Sequence, residues 1–220
     1  MSEASFVTID APVGDGLDTE IEIKRSRFLT RLRRVQTEDS ARAVVDQCRR
    51  AHHQARHHCS AFRLEPDARI ARSSDDGEPA GTAGIPMLSV LTGHGLTDVV
   101  AVVTRYFGGI KLGAGGLVRA YGEAVSGAVT KAGTRRVLRC ARLLIGVRVA
   151  VAGAFESQIR GMSLPTAGAP MVEHVEWDAD VSFTVAVPTV DEALFRSFLA
   201  AWPGQELGVA ALDEGWVDAP

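Results

Sequence analysis

Residues 98–125, DVVAVVTRYFGGIKLGAGGLVRAYGEAV, constrain the fold more than any other stretch. Val99–Val103 is an unbroken apolar run with no polar alternate. A strand of that kind is covered on both faces, so it is central in its sheet and the chain must supply a layer on each side. The residues after it carry a helical stripe: Leu117, Ala120, Tyr121, Ala124, Val125, Ala128 and Val129 share one face. Lys131 suits the negative end of that helix, and Gly133 stops it.

Strand and helix are joined by five glycines within nine residues, flanked by Arg105 and Lys111. A P-loop requires GxxxxGK[ST], and Ala-Gly-Gly follows Gly113 instead. The dinucleotide fingerprint GxGxxG fails too, because Val118 stands where its third glycine belongs. Two general readings stay open. Amides at a helix N-terminus attract anions, with Arg105, Lys111 and Arg119 as reinforcement. Alternatively, the glycines only permit positive φ or a close backbone approach.

The remaining elements follow from periodicity and turn residues. TEIEIKRSRFLTRLRRV reads as two antiparallel strands joined at Lys24-Arg25-Ser26-Arg27, or as one long bent strand. Thr37, followed by Glu38 and Asp39, starts a helix with Ala41, Val44, Val45, Cys48 and Ala51 on its buried stripe. HCSAFRLE is a short strand stopped by Pro66, and the residues from Ser73 to Thr82 are turn chemistry. A short helix begins near Pro86 and closes at Gly93 and Gly95. TRRVLRC reads as a basic connector into a second unit. That unit has strand 143–151, helix 153–161, strands 171–177 and 181–187, helix 190–201 ended by WPGQ, and strand 207–216. The β-α-β-β-α-β order predicts a ferredoxin-like domain over 141–220, after a first domain over 1–140.

The net charge of −3 is unevenly distributed. Residues 24–152 hold 22 basic against 10 acidic side chains; residues 1–23 hold six acids and no base, and residues 153–220 hold two bases and 11 acids. A basic body with acidic ends suits an anionic partner, or acids folding back onto it. No apolar run is long enough to span a bilayer, no signal peptide is evident, and three cysteines without CxxC spacing read as reduced thiols, so a cytoplasmic protein with no membrane association is expected.

Two further motifs bear on chemistry. SDDGEPAGTAG gathers Asp75, Asp76 and Glu78, which suit either a Mg²⁺ ion bridging to phosphate or an Asp-Gly turn bracing the basic loop. His53 and His57 would form a zinc pair on one helix face, but the segment is expected to leave the helix before its strand.

KRSRF (24–28), ARHHCSAFRL (55–64), SDDGEPAGTAGIPML (74–88) and VVAVVTRYFGGIKLGAGGLVRAYGEAV (99–125) resemble the signature blocks of the IMPACT family, in its bacterial YigZ-like branch. The resemblance implies an α+β protein of two domains. The first is similar to domain 2 of a small-subunit ribosomal protein, an α/β sandwich; the second is similar to the last, ferredoxin-like domain of elongation factor G. It implies no catalytic residue. Eukaryotic members regulate translation initiation through an additional N-terminal partner-binding domain; the chain starts directly in the IMPACT block, so that role is not expected of it. The signature positions include Arg27, His57, Asp75, Asp76, Glu78, Arg105, Tyr106, Gly108, Gly109, Gly113, Gly115, Gly116, Arg119 and Tyr121, with Lys111 at a more variable one.

The leading expectation is a non-enzymatic RNA- or ribosome-associated protein in translation or its regulation. Phosphates would meet Arg27, Arg105, Tyr106, Lys111, Arg119 and the amides of Gly108, Gly109, Gly113, Gly115 and Gly116. The rival is a metal-assisted enzyme acting on a small phosphorylated compound or nucleotide, with Asp75, Asp76 and Glu78 on the metal. A protein-interaction module, using the acidic end of the chain, is the third.

Overall fold

The computed structural model describes residues 4–203 and 207–220. They divide into two compact units: Phe6–Arg136, and Val137–Pro220 together with the start of the chain through Ser5. Gly204 and Gln205 of the predicted WPGQ turn lie outside the described residues.

The larger unit is built on a five-stranded sheet. Its strands are β2 (Gly16–Ile23), β3 (Ser26–Arg34), β6 (Val99–Tyr106), β4 (His57–Leu64) and β5 (Ile70–Ser74), in that spatial order, with every neighbour antiparallel. The apolar run of β6 is central as expected, and Val99–Val103 are fully buried. Odd-numbered Val99, Ala101 and Val103 meet α2 (Gly84–Gly93) and α3 (Ala114–Ala132), while Val100 and Val102 meet α1 (Glu38–Ala51). One strand thus feeds two cores, making a three-layer α/β/α unit. Before the sheet, β1 (Ser5–Ile9) sends its Val7 carbonyl to accept from the Thr97 amide at 2.9 Å.

Helix α1 starts as Thr37 requires. The Thr37 hydroxyl accepts from the Ser40 amide at 3.1 Å and Ser40 returns the contact, a capping box with serine at the third position. The helix ends at Ala51, so His53 and His57 share no helical face. Strand β5 has no counterpart in the sequence reading, because its five residues IARSS lack an apolar alternation and sit half or fully exposed at the sheet edge. The β2–β3 hairpin turns on Lys24 and Arg25, with φ of 47° and 65°. Left-handed values at both turn residues fit the twist of a two-residue hairpin, but Asn-Gly is the usual occupant.

The smaller unit has β7 (Thr134–Val147), α4 (Val149–Gly161), β8 (Met171–Trp177), β9 (Val181–Pro188), α5 (Glu192–Ala200) and β10 (Gly208–Asp218). Strand order β10-β7-β9-β8, all antiparallel, is the ferredoxin-like arrangement. Both helices cover one face: Ala152, Phe155 and Ile159 of α4 and Phe195 and Leu199 of α5 close on Leu143, Ile145, Phe183 and Val185. Two boundaries differ from expectation. TRRVLRC is no connector but the first half of β7, in which Val137, Leu138 and Cys140 are buried. The β-branched start of α4, Val149-Ala150-Val151, mimics a strand, and the 3–4 spacing of Ala152, Phe155 and Ile159 overrides it.

Candidate functional site

The antiparallel pairing of β4 with β6 sets His57 opposite Arg105, so the start of one strand lies beside the end of the other. The β2–β3 turn comes to the same end, where Ser26 lies near Tyr106 through the β3–β6 register. At that end the chain leaves β6 through the glycine loop and enters α3. A cleft of about 790 Å³ opens here. Its lining comes from the loop before β4 (Gln54, Arg56, His57), the acidic turn (Glu78, Pro79), the end of β6 (Arg105, Tyr106, Phe107) and the glycine loop with the start of α3 (Lys111, Leu112, Gly113).

The floor is a buried polar network. Glu78 accepts from Arg105 Nη1 at 2.7 Å and from the Tyr121 hydroxyl at 2.8 Å, with both charged side chains less than a tenth exposed. The Arg105 guanidinium packs between Phe28 and Phe107, 5.5 and 5.7 Å from their ring centroids. The Cys59 thiol donates to the Asp75 carbonyl at 2.9 Å and lies 3.3 Å from the Tyr121 hydroxyl; burial pushes it up to about 12, well away from nucleophilic use.

The acidic turn braces this floor. Asp75 takes three amides, those of Gly81, Ala83 and Gly84, at 2.8–2.9 Å, and so caps the first turn of α2 from outside the helix. Burial acts to raise the Asp75 carboxyl, and the three amides outweigh it, leaving it below its ordinary value. Asp76 accepts from the His58 amide at 2.7 Å and from Arg49 at 2.9 Å. Glu78, the third acid, holds Arg105. Their carboxylates thus face different partners, and among the described residues no three His, Cys, Asp or Glu side chains are placed to hold a metal.

The glycines divide by role. A Cβ on Gly108 would land on the Arg25 carbonyl, and its amide donates to Ser26 Oγ at 3.2 Å, so this glycine exists for close backbone approach. Gly109 and Gly113 have φ of 87° and 72°, and Gly113 precedes α3 with no side-chain cap. A Cβ on Gly116 would press on Leu112 at 2.9 Å, whereas one on Gly115 would meet nothing within 4 Å.

The expected cations separate similarly. Arg27 is bound by Glu20 through two contacts of 2.6 and 3.0 Å and covers the Tyr106 ring. Arg105 lies in the floor. Lys111 lines the cleft, while Arg119 borders a smaller depression with Lys24, Ile23 and Glu123. Acids of the first 23 residues do fold back onto the basic body: Asp18 pairs with Arg31 and Arg33, Glu20 with Arg27, and Asp10 with Arg135. After that pairing, exposed Lys24, Arg25, Arg56, Lys111 and Arg119 have no acidic partner among the described residues. Arg56 and Phe107 also line the cleft, though neither was among the expected site residues; the antiparallel β4–β6 pairing brings their segments together.

Among the described residues no helix is long and apolar enough to cross a membrane. Residues 24–129 match the Impact N-terminal domain, a range that contains every residue of the cleft. The IMPACT family member YigZ of Escherichia coli (strain K12) is 38% identical over 88% of this chain and 93% of its own length. YvyE of Bacillus subtilis (strain 168), also named an IMPACT family member, is 50% identical over 54% of this chain and 56% of its own. A crystal structure of a hypothetical protein superimposes with a TM-score of 0.60 at 35% identity, covering 96% of this chain and 98% of that one. On the floor residues, the two-unit α+β architecture and these matches, the chain belongs to the IMPACT family.

Proposed function

We propose that the larger unit binds single-stranded RNA phosphates, free or on the ribosome, and that the protein serves translation or its regulation in the cytoplasm by binding rather than by catalysis. One observation carries the reading: the cations around the glycine loop are left over after the acids nearby have been assigned. Lys24 and Arg25 are the sharpest case. Two non-glycine residues in left-handed conformation cost on the order of 1 kcal/mol each. The chain keeps that strain at an exposed hairpin tip with no acidic partner among the described residues, where Asn-Gly would relieve it. Lys111, Arg56 and Arg119 extend the same basic rim.

The acidic turn acts as the brace of this rim. Asp75 and Asp76 hold backbone amides and Arg49, and Glu78 holds Arg105, which leaves the metal-assisted enzyme without an uncommitted carboxylate pair.

Filter binding of a short single-stranded RNA across a salt series tests the reading. With four or five phosphate contacts, log K should fall against log salt with a slope of about −3. Charge reversal at Lys24, Arg25 and Arg119 should flatten that slope while the fold stays intact. Absence of binding at low salt, or a slope near zero, refutes it.

A further inference from the structure

We propose that the cleft beside the glycine loop accepts one nucleoside 5′-phosphate unit. Its phosphate would lie at the start of α3 between Arg56 and Lys111, and its base on the outer side of Phe107. The inference rests on the RNA reading above and names what enters the cleft.

Size comes first. About 790 Å³ lies within the range of small-molecule sites and is ample for one nucleotide, but a duplex cannot enter it. Charge comes second. Arg56 and Lys111 are exposed on the lining with no ion pair among the described residues, and the acid of the lining, Glu78, is neutralised by Arg105. The N-terminus of the 19-residue α3 adds amides that no side chain caps. Two cations and a helix N-terminus suit a phosphate dianion better than a carboxylate. Arg105 lines the cleft as well; its side chain is 8% exposed, and its buried Nε–H has no acceptor among the described residues.

The two aromatic residues of the lining are not equivalent. Tyr106 is occupied: Arg27 lies over its ring at 5.6 Å, and its hydroxyl contacts His52 at 3.1 Å. Phe107 is 57% exposed, with the Arg105 guanidinium on one side of the ring. That leaves Phe107 a ring for a base to stack on, with the charge of Arg105 behind it.

Fluorescence anisotropy on the full chain tests this with one short single-stranded RNA carrying either a 5′-phosphate or a 5′-hydroxyl, and with adenosine 5′-monophosphate as competitor. The phosphorylated RNA should bind about tenfold tighter, as one charge-assisted contact set implies. The monophosphate should displace it, Lys111→Ala should erase the preference for phosphate, and Phe107→Ala should weaken both ligands. Both side chains are exposed, so circular dichroism should be unchanged. Equal affinity for the two RNAs with no displacement by the monophosphate overturns the cleft assignment and leaves RNA binding along the rim. Monophosphate binding that responds to both variants, with no RNA binding, supports the cleft with a free nucleotide as its occupant and overturns the RNA reading. Insensitivity to Phe107→Ala overturns the stacking.

Discussion

Removing the Glu78 carboxylate isolates a guanidinium that has almost no access to water. Among the described residues Glu78 is the only carboxylate bonded to Arg105, at 2.7 Å, and the side chains are 4% and 8% exposed. In Glu78→Ala the Arg105 charge stays buried with a distant Ser26 hydroxyl at 3.5 Å, and Tyr121 loses its 2.8 Å acceptor. Breaking one half of a buried pair costs about 3–5 kcal/mol, and the Tyr121 loss overlaps that figure because both bonds end on one oxygen. In a domain of this size each kcal/mol moves Tm by roughly 3–6 °C, so a fall of about 10–30 °C is expected. Urea unfolding should be followed by far-ultraviolet circular dichroism, since Trp177, Trp202 and Trp216 all lie in the smaller unit. The double variant Glu78→Leu, Arg105→Leu removes both charges and should recover most of the loss. A single-variant loss below about 1 kcal/mol, or a double variant as unstable as the single, would refute the claim that this pair is desolvated and mutually dependent.

Two further outcomes follow from the same end of the sheet. Gly108→Ala should destabilise by about 2 kcal/mol or more, because its Cβ meets the Arg25 backbone, whereas Gly115→Ala, open on all sides and helical, should be neutral or stabilising by up to about 1 kcal/mol; equal effects in urea unfolding would contradict the division of the glycines. The Asp75 carboxyl is lower in the folded chain than unfolded, so its contribution is complete above the ordinary carboxylate range and disappears as pH falls through the lowered value. Asp75→Ala should cost about 1–2 kcal/mol at neutral pH and make the acid limb of the stability curve shallower; an unchanged acid limb would rule out the cap.

Much of the fold was legible because local signals agreed with tertiary demands. The apolar run of β6, the stripe of α3 and the Thr37 cap each name one outcome, and each occurs. Failures arose where local chemistry and packing disagree. β5 has too little apolar content to announce itself, and it exists because the antiparallel edge of β4 supplies the partners from Ser60 to Leu64. The first half of β7 was read as a connector for its arginines, yet the consecutive Val137 and Leu138 between them are both buried, which requires cover on both faces of the strand. Around the cleft, the sequence motifs named segments that line it but not what their residues bond to. Arg27 and Arg105 look like phosphate ligands until Glu20 and Glu78 are found on them, and no spacing rule foretells a pairing made across a hairpin or between a turn and a strand end.

The same distinction divides the glycine-rich loop. Its first half is structural: Gly108 lets the chain pass against the backbone of Arg25, and so ties the loop to the strained Lys24-Arg25 tip. Its second half faces outward, where Gly113 starts α3 uncapped and Gly115 has free space around it. A turn alone would need the first half only, and a cradle alone would not need Gly108. With both halves in nine residues, one loop packs against the basic tip through Gly108 and sets the N-terminus of α3 at the cleft through Gly113. Substitutions in the two halves must therefore separate, with Gly108 variants failing in stability and bulky Gly115 variants failing in binding while still folded. A Gly115→Val protein that folds normally and binds RNA as tightly as the parent would leave the second half without a role.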